Sequence, residues 1–216
     1  DPSLGQDSNS GLSPEAPKKD YRAVSLLPGD TLLFKRGTVT RDFLLLTDGD
    51  SGNPITYGAY GDGDAPTFLG SADLSGESAW KHEGGNLWSY AGVLPSEACN
   101  LIFDDGNSFG NLRWELSDLR RQGEWHYTHL GIAGNSVKPE EITVPEKLYL
   151  YSEKNPGAFY RQIECALWSV NGMERRLAYG QHDIILQDLC FKNGGVHGFQ
   201  AIRPYNLTIR RCGFIN

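Results

Sequence analysis

Apolar and polar residues alternate in short bursts along this chain, and two of the bursts superpose. Residues 182–193 (HDIILQDLCFKN) and 205–216 (YNLTIRRCGFIN) align without a gap at an offset of 23 residues. Ile184 falls on Leu207, Leu186 on Ile209, Leu189 on Cys212, Phe191 on Phe214 and Asn193 on Asn216. A fainter third copy, QIECALWSVNG at 162–172, lies about 21 residues earlier and puts Ile163 and Cys165 in the first two apolar slots. Alternation with a period of two places Ile184 and Leu186 on one strand face, which must be the inner one. Each copy therefore predicts a strand, a polar bend and a second strand. Such a unit, repeated, suits a solenoid whose turns touch only their neighbours, with equivalent residues stacked roughly 4.8 Å apart. Asp188 then lies over Arg211, Asn193 over Asn216 and His182 over Tyr205. A leucine-rich repeat has a similar period, but its L-x-x-L-x-L-x-x-N frame fits these residues poorly. A parallel β-helix fits better.

The same rhythm runs through earlier segments. PGDTLLFKRG (28–37) predicts a turn and a buried strand, and GNPITYGAYGDG (52–63) repeats it 24 residues later. APTFLGS, GNLWSYAG and CNLIFDDG continue the series of short strands closed by glycine, so all five suit early coils. Residues 111–153 interrupt it. WELSDL predicts a short helix, while GEWHYTH and KLYLYSE alternate as the two strands of a hairpin, with 130–146 a long loop between them. Such an excursion is a natural wall for a binding groove. Residues 1–20 are polar and turn-rich, an extended lead-in. The domain expected is therefore a lead-in over 1–20 and β-helix coils over 21–216. A last rung at Asn216 leaves an apolar core and a strand edge open, so the coils are expected to continue beyond 216.

Composition removes several function classes. The net charge is −7, with no dense Lys/Arg run, which argues against nucleic acid. No apolar run approaches the roughly 18 residues needed to cross a bilayer, so no membrane partner is expected. The four cysteines, Cys99, Cys165, Cys190 and Cys212, are too sparse for a disulfide scaffold and are expected as free, mostly buried thiols. Asp7, Asn9 and Gly11 have the look of a calcium loop but lack a distal acidic ligand; runs of Asx turns explain them better, and no cofactor is expected. His126 and His129 stand three apart without a third ligand, so no zinc site is expected there.

SNSGLSPEAP, PGDTLLFKRG, GNPITYGAYGDG, GEWHY, LYLYSEKNP and NLTIRRCGF together resemble bacterial right-handed parallel β-helix proteins of the pectate-lyase-like superfamily. The pattern is most similar to the β-helical glycoside hydrolases and their uncharacterised relatives, and covers nearly the whole chain in order. The resemblance implies an all-β right-handed parallel β-helix, a secreted or periplasmic location, a polysaccharide substrate and further C-terminal coils as a structural partner. It also implies that much of the catalytic apparatus lies in those later coils.

Glycosidic hydrolysis needs two carboxylates across a groove, roughly 5–5.5 Å apart for retention or 6.5–9.5 Å for inversion. Asp104, Asp105, Glu115 and Asp188 are the carboxylates to weigh, Asp105 against a turn role before Gly106 and Asp188 against its Arg211 neighbour. A lyase acting on uronates needs a base and cations for the enolate. His197 in GGVHGF is the best-placed base, with Arg203, Arg210 and Arg211 close behind. The catalytic candidates are thus His197, Asp188, Asp105 and Arg211. Trp114, Trp125 and Tyr127, with Arg203 and Arg210, are the substrate-binding candidates, since aromatic faces suit sugar rings; Tyr149 and Tyr151 belong to the same aromatic concentration. The alternative for these aromatics is to pin the hairpin to its scaffold. Hydrolysis of a polysaccharide is the leading function. Elimination, and a non-catalytic adhesive or sugar-binding β-helix, are the alternatives.

Overall fold

The computed structural model describes residues 1–42, 44–130, 145–168, 177–196 and 198–215. Among these the chain is all-β, with five separate sheets and a single short α-helix, α1 (Pro156–Phe159). It divides into two compact units. The first comprises Asp1–Leu69, Arg175–Lys192 and His197–Ile215, and the second Gly70–Glu174 with Asn193–Val196.

The first unit starts with β1 (Thr31–Lys35), β2 (Val39–Thr40), β3 (Ile55–Tyr60) and β4 (Thr67–Leu69). The second unit supplies β5 (Ser71–Asp73), β6 (Trp80–Gly84), β7 (Leu87–Tyr90), β8 (Ala98–Phe103), β9 (Ser108–Phe109), β10 (Asn111–Leu112), β11 (Glu124–Tyr127), β12 (Leu148–Tyr151) and β13 (Ile163–Leu167). The chain then returns to the first unit with β14 (Leu177–Tyr179), β15 (His182–Gln187), β16 (Cys190–Lys192), β17 (Gln200–Ile202), β18 (Tyr205–Arg210) and β19 (Gly213–Ile215).

Two four-stranded parallel sheets carry the first unit, in the orders β1-β3-β15-β18 and β2-β4-β16-β19. The register is the one that the 23-residue offset predicts. Ile184 pairs with Leu207, Leu186 with Ile209 and His182 with Tyr205; Phe191 pairs with Phe214. On its other edge β15 pairs with β3, Ile184 opposite Ile55 and Leu186 opposite Tyr57. β14 and β17 form a separate parallel pair. Inward-facing Ile55, Tyr57, Phe68, Ile184, Leu186, Leu189 and Phe191 make the core. A column of rings crosses the second sheet, where Phe68 stacks on Phe191 at 5.7 Å and Phe191 on Phe214 at 5.5 Å, and Phe34 of β1 meets Phe68 edge-on at 5.1 Å. The bends that join the two sheets have left-handed backbone, at Asp188 (φ 58°) and Arg211 (φ 53°). That conformation suits Asp better than Arg, and the pair's ionic bond described below holds Arg211 in it. β18 and β19 lie at the sheet edges and leave Ile209, Phe214 and Ile215 exposed.

The lead-in is not extended. It folds back on itself, with Gln6 N–H donating to Pro17 O (3.1 Å), Gly11 N–H to Ala16 O (2.9 Å) and Asn9 Nδ2 to Pro17 O (2.8 Å). The Lys18 ammonium donates to the carbonyls of Asp7 (3.0 Å) and Asn9 (2.8 Å). A cation therefore already sits among the oxygens of the stretch weighed as a calcium loop. Just after the lead-in, Tyr21 and Leu26 pack on the first unit's core.

Antiparallel pairing dominates the second unit, and here several expectations are corrected. The 162–172 copy of the repeat does not join the parallel stack, because β13 lies between β5 and β8 and pairs antiparallel with both. GNLWSYAG and CNLIFDDG are not coils either: β7 pairs antiparallel with β6 and β12, and β8 with β13 and β9. Alternation tells which face a strand buries but not the direction of its neighbour. The expected hairpin is present, with Trp125 opposite Leu150 and Tyr127 opposite Leu148; the loop expected at its tip falls largely outside the described residues. WELSDL makes only a three-residue 3-10 turn, Leu116–Asp118. Asn155 caps α1, its Oδ1 accepting from Gly157 N–H at 3.0 Å. A Cβ on Gly157 would collide with the Gly76 carbonyl carbon. Gly157→Ala is accordingly expected to cost about 1–3 kcal/mol through overpacking, measured as a lowered thermal midpoint.

Candidate functional site

In the first unit the structure brings Asp188, Arg210 and Arg211 together, each with a partner 23 residues away. Arg211 Nε donates to Asp188 Oδ1 at 2.6 Å and Nη2 to Oδ2 at 2.7 Å. Arg36 Nη2 stands 3.7 Å from Asp188 Oδ1. The Arg211 hydrogen bonds hold the Asp188 carboxyl below the usual carboxylate range, outweighing what burial does to raise it, and Asp188 in turn raises Arg211. Both carboxylate oxygens are thus engaged, an arrangement suited to fixing a corner and unsuited to donating a proton or attacking a sugar. Arg210 Nε donates to Gln187 Oε1 at 2.8 Å. These two arginines are bound to their own scaffold, which leaves them poorly placed to clamp a uronate. Arg203 is exposed at another left-handed position (φ 51°). His197, the candidate base, and Asn216, the expected partner of Asn193, lie outside the described residues.

The other candidates are in the second unit. Asp104 and Asp105 both have left-handed backbone (φ 49° and 59°) in one tight turn. Asp104 Oδ1 accepts the amides of Arg161 (2.8 Å) and Gln162 (3.2 Å), so it is a turn clasp, and Asp105 is the exposed residue beside it. Trp125 and Tyr127 are core residues, 1 % and 2 % exposed, which removes them as sugar platforms. They pin the hairpin, the alternative weighed for them. Trp114 is the reverse, 71 % exposed. The four cysteines are free, and burial pushes the Cys99 thiol up to about 12, far from a nucleophile at neutral pH.

A different set emerges on the five-stranded sheet, ordered β10-β11-β12-β7-β6. Trp125, Leu150 and Trp88 are in register and face the core. The next position along each strand points the other way. That outer row runs His126, Tyr149, Ser89, Lys81. Lys147 lies over the Tyr149 ring, 5.3 Å from its centroid. Its ammonium donates to Glu83 Oε1 at 2.8 Å, which also accepts from Ser89 Oγ at 2.8 Å and has Lys81 at 3.4 Å. The Lys147 and Ser89 hydrogen bonds hold Glu83 at about 2. Asn86 Nδ2 donates to the Tyr151 hydroxyl at 2.8 Å. Near the other end of the sheet Glu124, 3 % exposed, accepts from Arg113 Nη2 (2.6 Å) and from the Arg120 and Arg121 amides (2.6 and 2.9 Å). Burial pushes Glu124 up, but these donors together hold it below the ordinary range.

The outer face therefore offers an aromatic ring, two ammonium groups and firmly ionised carboxylates. It can hydrogen-bond a hydroxyl-rich ligand and meet the apolar side of a ring. Neither of its carboxylates, Glu83 or Glu124, has the raised pKa of a general acid. Among these residues Tyr149 and Tyr151 stood out in the sequence as aromatics, and His126 only as a metal ligand weighed and set aside. Lys81, Glu83 and Ser89 carried one available signal, the alternation of WKHEG and LWSY around Gly84-Gly85-Asn86, which marks a hairpin, and Lys147 is in phase with Tyr149 and Tyr151 in KLYLYSE.

No family model matches the chain, and no curated protein does. Among solved structures, XylC in complex with xylose matches with a TM-score of 0.56 at 16 % identity, over 88 % of this chain and 34 % of that one. Two structures of the GH136 lacto-N-biosidase from Eubacterium ramulus also match. The native protein gives a TM-score of 0.38 at 19 % identity over 98 % of this chain and 33 % of that one. The selenomethionine derivative gives 0.29 at 18 % over 89 % and 18 %. The chain spans about a third of the length of XylC, and what it shares with XylC is the fold.

Proposed function

We propose that the chain is part of a carbohydrate-active hydrolase that cleaves glycosidic bonds in a polysaccharide. In this proposal the first unit forms coils of a right-handed parallel β-helix, and the second unit presents a sugar-binding face. The observation that carries it is the outer row of the five-stranded sheet, where Tyr149, Lys147 and Glu83 set an aromatic ring among charged hydrogen-bonding groups. The likeness in fold to XylC, a protein seen with xylose, supports the same direction. Hydrolysis is favoured over elimination because Arg210 and Arg211, the cations a lyase would turn to a uronate, are held by Gln187 and Asp188. Since Glu83 is held ionised and Glu124 is buried with both oxygens engaged, the acid and base are assigned to further coils. Those coils would cover the exposed Ile209, Phe214 and Ile215 of β18 and β19.

The test is a panel of neutral and acidic polysaccharides. Binding to the present chain is expected for at least one neutral glycan, and Tyr149→Ala is expected to weaken it about tenfold, the ~1.4 kcal/mol scale of one aromatic platform. A longer chain carrying the additional coils is expected to release reducing ends without an unsaturated, ultraviolet-absorbing product. Absence of both binding and cleavage across the panel would overturn the proposal, and an unsaturated product would replace hydrolysis by elimination.

A further inference from the structure

We propose that His182 and Asp48 form a binding site for a divalent transition-metal ion of the zinc type. His182 opens β15, and its imidazole is fixed on two sides. Nδ1 is 2.9 Å from Oδ2 of Asp183, a carboxylate that is 5 % exposed. Asn206 Nδ2 donates to the other Asp183 oxygen at 2.9 Å. The ring stacks on Tyr205, centroids 4.6 Å apart and planes 13° from parallel. The Asp183 oxygen occupies the Nδ1 side of the ring, so Nε2 is the nitrogen directed away from it.

That outward nitrogen faces Asp48. Oδ2 of Asp48 is 3.9 Å from Nε2, while Oδ1 accepts the His182 amide at 3.1 Å and ties the side chain in place. Zinc–nitrogen and zinc–oxygen bonds of about 2.0–2.2 Å at a tetrahedral angle put their donor atoms roughly 3.4 Å apart. The pair thus needs to close by about half an ångström, a shift of the half-exposed Asp48 Oδ2 alone while Oδ1 keeps the His182 amide. A buried carboxylate on the far nitrogen of a metal-binding histidine fixes its tautomer and raises its basicity, the part Asp183 is placed to play. Among the described residues no three His, Cys, Asp or Glu side chains converge as a cage. The site is therefore an open one, with two protein ligands and the remaining positions left to water or a ligand oxygen. Imidazole with carboxylate selects zinc-like ions over magnesium or calcium, which prefer all-oxygen shells. Occupation would tie the segment between β2 and β3 to β15.

Equilibrium dialysis of the whole 216-residue chain against Zn²⁺, followed by metal counting, tests this. The unchanged protein is expected to bind one zinc more than His182→Gln or Asp48→Asn, both judged folded by circular dichroism. Asp183→Asn is expected to weaken binding by roughly 10- to 100-fold. Cobalt at the same site should show visible bands without a thiolate charge-transfer band, and zinc should raise the melting temperature of the unchanged protein but not of His182→Gln. Equal zinc stoichiometry and affinity in the unchanged protein and His182→Gln, or a cobalt–thiolate band that survives that substitution, would overturn the site.

Discussion

Leu186→Asp is expected to unfold the first unit. The Leu186 side chain is fully buried, and its backbone pairs with Tyr57 on one side and Ile209 on the other. A carboxylate there has no hydrogen-bond partner among the apolar residues around it and costs more than about 4 kcal/mol, the size of effect that single buried charges produce. Domains of this kind have total stabilities on the order of 5–15 kcal/mol, so one such change removes much or all of it. Thr208, by contrast, points outward from β18 and is exposed, and Thr208→Asp is expected to change stability by less than about 0.5 kcal/mol. Thermal melts followed by circular dichroism, with limited proteolysis to locate the loosened segment, distinguish the two. Equal sensitivity at both positions would mean that the alternation does not separate inside from outside.

Glu124→Ala is expected to be the most damaging single change at the outer face of the second unit. It strips the acceptor from Arg113 and from the Arg120 and Arg121 amides at once, and stranded donors in a covered turn cost about 2–3 kcal/mol. Glu124→Gln, which keeps one acceptor oxygen, should lose less. The same carboxylate sets a pH dependence. Its pKa in the folded protein lies below its ordinary value, so its contribution is fully present above the unfolded pKa of about 4.3. It is lost as pH falls through the folded value. Glu83, held at about 2, and Asp188, also lowered, act in the same direction. Stability is therefore expected to be flat with respect to these groups above about pH 5 and to decline as the pH falls from about 4.5 toward 2. Glu124→Gln should flatten part of that decline; an unchanged acid profile would remove Glu124 from the explanation.

How much of this was legible in the residues depends on what each feature asks of the sequence. Parallel stacking asks for like chemistry at a fixed offset, and HDIILQDLCFKN over YNLTIRRCGFIN supplies it side chain by side chain, down to the Asp188–Arg211 and His182–Tyr205 pairs. Antiparallel partners need only an apolar face. Ile163 and Cys165 therefore looked like another rung while β13 in fact lies between β5 and β8. In the hairpin, GEWHYTH and KLYLYSE announced two faces but not which one turned inward. The bulky aromatics Trp125 and Tyr127 went to the core, and His126 and Tyr149 were left on the outside. Glu124 could not be found at all from its neighbours in sequence, because its donors come from a turn whose backbone geometry the residue types do not announce. Glu83 was within reach, three positions before Asn86 in a hairpin whose glycines mark it.

The most direct measurement is a designed cross-link between β15 and β18. Ile185 and Thr208 are in register on the outward side, and parallel neighbours about 4.8 Å apart suit a disulfide. After mild oxidation of Ile185→Cys/Thr208→Cys, peptide mapping should find a 185–208 bridge. Ile185→Cys/Ile209→Cys, whose second thiol lies on the opposite face of β18, should not form one. A bridge only in the second protein, or in neither, would contradict the 23-residue stack on which the rest is built.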